Sequence, residues 1–181
     1  MYPRRSGSTL VNLAPLLAAL AVAGCGGGGS SQAAPEAATV KGPGFSFSAP
    51  AAREIARTPR SVSVLPDDEA TQELESVTIF PLIKPYRPSL WPQASAELDD
   101  VAARVVRDLG GDYVREPQTV RRGGLRGRLY ELAYEREGVE LRQRLTLLLS
   151  RRTEYQLLCR WETAAGEPSA CALLETSFRL R

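Results

Sequence analysis

From Phe45 onwards, apolar and polar positions follow two rhythms. Phe45-Ser46-Phe47-Ser48-Ala49 alternates strictly, which predicts a strand ended by Pro50. Ser61 to Leu65 alternates again and stops at Pro66, where Pro66-Asp67-Asp68-Glu69 reads as a turn. Leu74 to Ile83 is a third strand, rich in Val77, Ile79 and Phe80. The rhythm then changes. Over Ser95 to Leu109 the residues Leu98, Val101, Ala102, Val105 and Leu109 fall on one helical face. Ser95 is read as the N-cap, and Glu97, Asp99 and Asp100 suit the positive end of the helix dipole. Gly110-Gly111 supplies the stop.

Period two returns in Gln118 to Val120 and Leu125 to Arg136, separated by Gly123-Gly124. Tyr130, Leu132 and Tyr134 share one face, and Glu137-Gly138 is a two-residue hairpin turn. Leu141 to Leu149 follows, with Leu141, Leu145, Leu147 and Leu149 on one face. Arg151-Arg152-Thr153 turns the chain into Glu154 to Trp161, where Tyr155, Leu157, Cys159 and Trp161 align. Pro168 suits a first helical turn, and Ala170 to Phe178 reads as a short helix burying Cys171, Leu174 and Phe178. Strands, one long helix mid-chain, a meander and a short C-terminal helix together predict an α+β domain over 45–181 with an antiparallel sheet.

The N-terminus has a different pattern. Arg4 and Arg5 precede an apolar run from Leu10 to Ala23, interrupted by Asn12 and Pro15. A spanning helix needs about 20 apolar residues, so this run reads as an export signal over 1–24. It ends Val22-Ala23-Gly24-Cys25, which resembles the lipobox of bacterial lipoproteins, with valine where leucine is commoner. The resemblance implies cleavage after Gly24 and a diacylglyceryl thioether on Cys25, with palmitate-type acylation of the new amine. One acyl chain holds a protein to a bilayer only marginally, whereas two or three hold it durably. An ordinary cleaved signal with an incidental Cys is the alternative. Gly26 to Ser31 and the Ala/Pro stretch beyond it read as a flexible tether, giving a lipidated Cys and linker over 25–44. The expected location is the extracytoplasmic face of the cell membrane.

Charge sharpens this picture. The chain of 181 residues carries 23 Lys+Arg against 21 Asp+Glu. Arg4 and Arg5 leave with the signal, so the basic count falls to 21 and equals the acidic count. Nucleic acid is therefore not an expected partner. Histidine is absent, which excludes Ser-His-Asp and Cys-His catalysis and His-ligated zinc. The spacings of a calcium loop, a phosphate loop and a serine-nucleophile elbow are also missing. No cofactor, metal or enzymatic activity is expected.

Cys159 points inward from the last strand and Cys171 lies on the inward face of the final helix, 11 residues of chain between them. In an oxidising compartment this pair can join, contributing about 3 kcal/mol in the chain-entropy view. Two buried free thiols are the alternative. No Cys-x-x-Cys spacing suggests a redox-active pair.

The element order from Phe45-Ser46-Phe47-Ser48-Ala49-Pro50 to the closing Leu174-Glu175-Thr176-Ser177-Phe178 resembles the PsbP/Mog1-like fold, which includes lipoproteins of the LpqN and DcrB sort. The Gly-Trp usual after that first Pro is replaced by Ala51-Ala52-Arg53. The resemblance implies a fold and no shared chemistry. Three segments are candidates for function. In Pro81 to Pro92, four prolines carry Tyr86, Arg87 and Trp91 as binding candidates, or else the loop packs Trp91 over the sheet edge. Arg121 to Arg128 carries four arginines among glycines, either a solvated turn or a contact for anionic head groups. The carboxylates Asp67, Asp68 and Glu69 read as a turn, and Asp99-Asp100 as helix-start charges. The expectation is a non-catalytic binding or envelope-assembly module, partnered by the membrane through its anchor and by an envelope protein. A carrier of a small apolar or glycolipid ligand is the second reading, its pocket lined by the leucines of 141–149 with Tyr130 and Tyr134. A carboxylate hydrolase is the third.

Overall fold

The computed structural model describes residues 36–68 and 71–181. The signal, Cys25 and the first part of the linker lie outside the described residues. The order is β1 (Ala37–Gly42), β2 (Phe45–Pro50), β3 (Ile55–Arg57), β4 (Ser61–Val64), β5 (Leu74–Pro81), α1 (Trp91–Leu109), β6 (Asp112–Tyr113), β7 (Gln118–Arg122), β8 (Leu125–Arg136), β9 (Val139–Leu149), β10 (Thr153–Glu162), α2 (Ser169–Ser177) and β11 (Arg179–Leu180). This is the expected α+β architecture, and every strand pairing is antiparallel.

Among the described residues the main sheet has the order β3-β4-β5-β10-β9-β8-β6, with β7 sharing the outer edge of β8. A smaller sheet, β1-β2-β11, lies apart from it. The central strand β9 explains the layering. Leu145, Leu147 and Leu149 pack with Leu98 and Ala102 of α1, while Leu148 packs with Phe45, Phe47, Leu174 and Phe178. Leu145 to Leu149 is buried on both faces, so the segment is apolar apart from Thr146, whose hydroxyl donates to Glu175. Helix α1 covers one face of β8 and β9. Helix α2 and the small sheet cover the other face. Truncating Phe45, fully buried between Phe47, Tyr155 and Phe178, is expected to cost about 3–5 kcal/mol.

The structure corrects several boundaries. The folded domain begins at Ala37, inside the stretch 25–44 expected to be tether, because β1 pairs along all of β2. Its apolar signal is weak: only Val40 of the strand is buried. Helix α1 starts at Trp91, four residues before Ser95, led in by a turn of 3-10 helix over Pro88–Leu90 with proline in its first turn. Ser95 is no cap. Its hydroxyl donates to the Pro92 carbonyl at 3.0 Å. The helix does stop at Gly110, which adopts a left-handed conformation at φ 64°. The Glu137-Gly138 turn is as expected, with φ values of 55° and 79° matching a hairpin turn that needs two positive angles.

The pairings also fix the two ends of the molecule. Arg126 lies opposite Leu149, so the β7–β8 turn and the β9–β10 turn sit at the same end of the sheet. Glu75 lies opposite Cys159 at the other end. Ala37 pairs with Pro50, and nearby Arg53 reaches Glu73 at 3.1 Å, so the chain enters the domain at the Cys159 end.

Candidate functional site

The segment between β5 and α1 is fastened to the β9–β10 turn. The amide of Leu82 donates to the Arg152 carbonyl at 2.9 Å, and that of Tyr86 to the Arg151 carbonyl at 2.8 Å. Four prolines in 81–92 restrict the backbone further. The segment is consequently held over one end of the sheet while exposing Phe80, Ile83 and Leu90, the last two 100% and 44% exposed. Its clustered exposed apolar side chains make it the candidate contact surface.

The three binding candidates separate here. Tyr86 is half-buried and Arg87 exposed. Trp91 is only 7% exposed, packed against the α1 core and covered by the Arg126 guanidinium 4.1 Å from its ring centre. Trp91 is therefore a packing residue rather than a partner anchor, because the helix starts with it and turns its ring toward the sheet.

An open apolar groove of about 240 Å³ runs between α1 and the segment, lined by Leu82, Tyr86, Leu90, Ala94, Val101 and Leu149. It adjoins a shallower depression of about 640 Å³ floored by Phe80, Ile83 and Leu147. Lys84, Glu97 and Glu154 line both. Burial pushes the Glu154 carboxyl up from its ordinary value. Of the β9 leucines expected to line a pocket, Leu149 lines the groove and Leu147 the adjoining depression, whereas Leu141 and Leu145, like Tyr130 and Tyr134, line neither. The Tyr130 hydroxyl donates to Asp99 at 2.8 Å, and Tyr134 donates to Gln143 at 3.1 Å. Asp99 has a different role from the one its position suggested. With α1 starting at Trp91, it lies two turns inside the helix and accepts both Arg128 nitrogens at 2.9 Å.

Beside the groove lies an arginine cleft of about 490 Å³, formed where the segment, the β7–β8 turn and the β9–β10 turn meet. Arg87, Arg121, Arg126 and Arg151 line it, and no carboxylate does. None of the four makes an ion pair among the described residues. In the sequence Arg87 and the 121–128 cluster are separate features. The fold joins them and adds Arg151, which looked like an ordinary turn residue. Tyr86 and Leu149 line both cleft and groove, so the two are continuous.

The other end is arranged differently. Cys159 and Cys171 form a disulfide with Cα atoms 5.6 Å apart, packed against Trp161. Glu75 lies against them, 1% exposed, with neither carboxylate oxygen hydrogen-bonded. Burial, reinforced by neighbouring Glu73, pushes its carboxyl up to about 8. No local pattern marks this burial, since a glutamate at the start of a strand normally reaches water. Nearby, Arg144 lies between Glu167 at 2.6 Å and Glu131 at 3.8 Å and stacks on Trp161. Towards the β7–β8 turn, Glu175 accepts from Arg122 and Thr146. Glu75, Cys159 and Cys171 are close enough to share a cation, but the sulfurs are bonded to each other and offer no thiolate.

No family model matches the chain, and no curated protein does. Solved structures do. LpqN of Mycobacterium tuberculosis, described as involved in cell envelope biogenesis, superposes with a TM-score of 0.52 at 13% identity, over 80% of this chain and 90% of that one. A protein of Bacteroides thetaiotaomicron superposes with a TM-score of 0.54 at 10% identity over 79% of this chain, which spans about half of it, 48%. At such identities the likeness establishes what the two chains share with this one, an α+β fold with an antiparallel sheet.

Proposed function

We propose that the protein is a lipid-anchored, extracytoplasmic binding module of the cell envelope, held by Cys25 and without catalysis. The single observation that carries the anchor is Val22-Ala23-Gly24-Cys25 at the end of a short apolar run. No helix among the described residues is long and apolar enough to cross a membrane. The likeness to LpqN, a protein of envelope biogenesis, supports the same setting and supports assigning the domain to the PsbP/Mog1-like group. The binding surface is the end carrying Tyr86, Arg87 and the arginine cleft, where an envelope partner would meet exposed apolar and cationic groups together.

Replacing Cys25 by Ser tests the anchor. The expected result is loss of the protein from the membrane fraction, with intact mass showing an unacylated chain. Undiminished sedimentation of the variant with bilayers overturns the reading. A carrier of a small apolar or glycolipid ligand is the second reading, favoured by the groove between α1 and the sheet. A hydrolase would draw on Glu97 and Glu154, which line that groove. Hydrolysis of an envelope ester or glycoside that Glu154→Gln abolishes would replace the non-catalytic reading.

A further inference from the structure

Four arginines line one cleft without a carboxylate among them, although basic and acidic residues are nearly balanced over the chain. Five other arginines are held in ion pairs: Arg53 has Asp67 and Glu73, Arg115 has Glu131, Arg122 has Glu175, Arg128 has Asp99 and Arg144 has Glu167. A guanidinium cannot shed its charge in the physiological range. Arg87, Arg121, Arg126 and Arg151 therefore remain cationic together, and their mutual repulsion is relieved only by solvent or by an anion. Their forked donors match the tetrahedral oxygens of a phosphate, each able to give two parallel hydrogen bonds. The cleft does not end blindly. Through Tyr86 and Leu149 it opens into the apolar groove under the 82–90 segment.

We propose that cleft and groove take one ligand, an amphiphile with a phosphate-ester head among Arg87, Arg121, Arg126 and Arg151 and an alkyl chain lying along the groove past Tyr86. This rests on the binding-module reading and names the ligand class of that site. Charge complementarity sets the head, and continuity with an apolar channel sets the tail. Tyr86 stands at the junction with a ring for the chain and a hydroxyl for the head. A single amphiphile is favoured over a bilayer surface because the cleft continues into an apolar groove of the domain itself, which gives an alkyl chain a protein-lined place.

The test is equilibrium binding to the full chain in phosphatidylcholine nanodiscs, followed by tryptophan fluorescence, since Arg126 covers Trp91. The probes are octyl phosphate, inorganic phosphate and octyl glucoside. Octyl phosphate is expected to bind at least about ten-fold more tightly than either of the others, because only it fills both parts. Arg121→Gln with Arg151→Gln should weaken octyl phosphate by about ten-fold or more without changing the melting temperature, as neither residue makes an ion pair among the described residues. Ala94→Trp, which fills the groove, should reduce octyl phosphate to the level of inorganic phosphate and leave inorganic phosphate unaffected. Absence of octyl phosphate binding, or binding that the arginine variant or Ala94→Trp leaves intact, overturns the proposal. Retention on phosphatidic acid vesicles without octyl phosphate binding also overturns it and assigns the arginines to a membrane surface. Release of the Cys25→Ser protein from membranes is read independently, so failure of the ligand proposal and failure of the anchored-module reading are told apart.

Discussion

The two ends of the sheet treat unpaired charge in opposite ways. At the disulfide end Glu75 is buried without a hydrogen-bond partner, and it can tolerate this because a carboxyl sheds its charge by keeping its proton, up to about pH 8. At the cleft end Arg87, Arg121, Arg126 and Arg151 have no such option and stay at or near solvent. One end has resolved its electrostatics internally, through neutralisation of Glu75 and the Arg144 ion pairs. The other leaves them open. An unresolved cationic cluster beside an apolar groove is a surface that a ligand completes.

The contrast can be broken most forcefully at Glu75. Its folded-state carboxyl holds the proton up to about 8, whereas in the unfolded chain it releases it near 4.5. The native state therefore binds more protons between these values. The stabilisation is complete below about pH 4.5 and declines as pH rises towards 8, by an amount on the order of 4 kcal/mol. Chemical denaturation across this window should show that slope, and Glu75→Gln should flatten it and raise stability at pH 8. The burial of Glu154 adds to the slope with the same sign, so the double variant with Glu154→Gln sharpens the measurement.

Arg144 comes next. Arg144→Ala removes the cation between Glu131 and Glu167 and strips the cover from Trp161, and it is expected to lower unfolding stability by about 3 kcal/mol. The same truncation at Arg121 should stay within about 0.5 kcal/mol, because no pair is broken. Equal losses at the two positions would erase the distinction between structural and open arginines.

Much of this architecture is legible in the sequence. Alternation over Phe45–Ala49, the helical face through Leu98 and Ala102, the Glu137-Gly138 turn and the inward-facing Cys159 and Cys171 all carry local signals that the packing agrees with. Strand β1 was not legible, because Ala-Ala-Thr-Val-Lys-Gly has one buried side chain and gains its structure from pairing with β2. The start of α1 was masked by prolines that serve as its first turn. The cleft was beyond local reading for a different reason. Its arginines come from three segments far apart in the chain, and only the register of β8 against β9, with the 82–86 amides fastened to Arg151 and Arg152, brings them together. Trp91 had two readings, anchor or packing residue, and the structure shows the second. Its chemistry suits an exposed anchor, and its position at a helix start decides that it is buried.

The smallest expected perturbation is also the most telling, since ligand contact should shift amide resonances without disturbing the fold. Backbone NMR of the protein titrated with octyl phosphate tests the central claim directly. The account predicts shifts confined to residues 82–90, 121–126 and 149–152, with those around Glu75, Cys159 and Cys171 unmoved. Shifts centred on the disulfide end, or spread evenly over both ends, would contradict it.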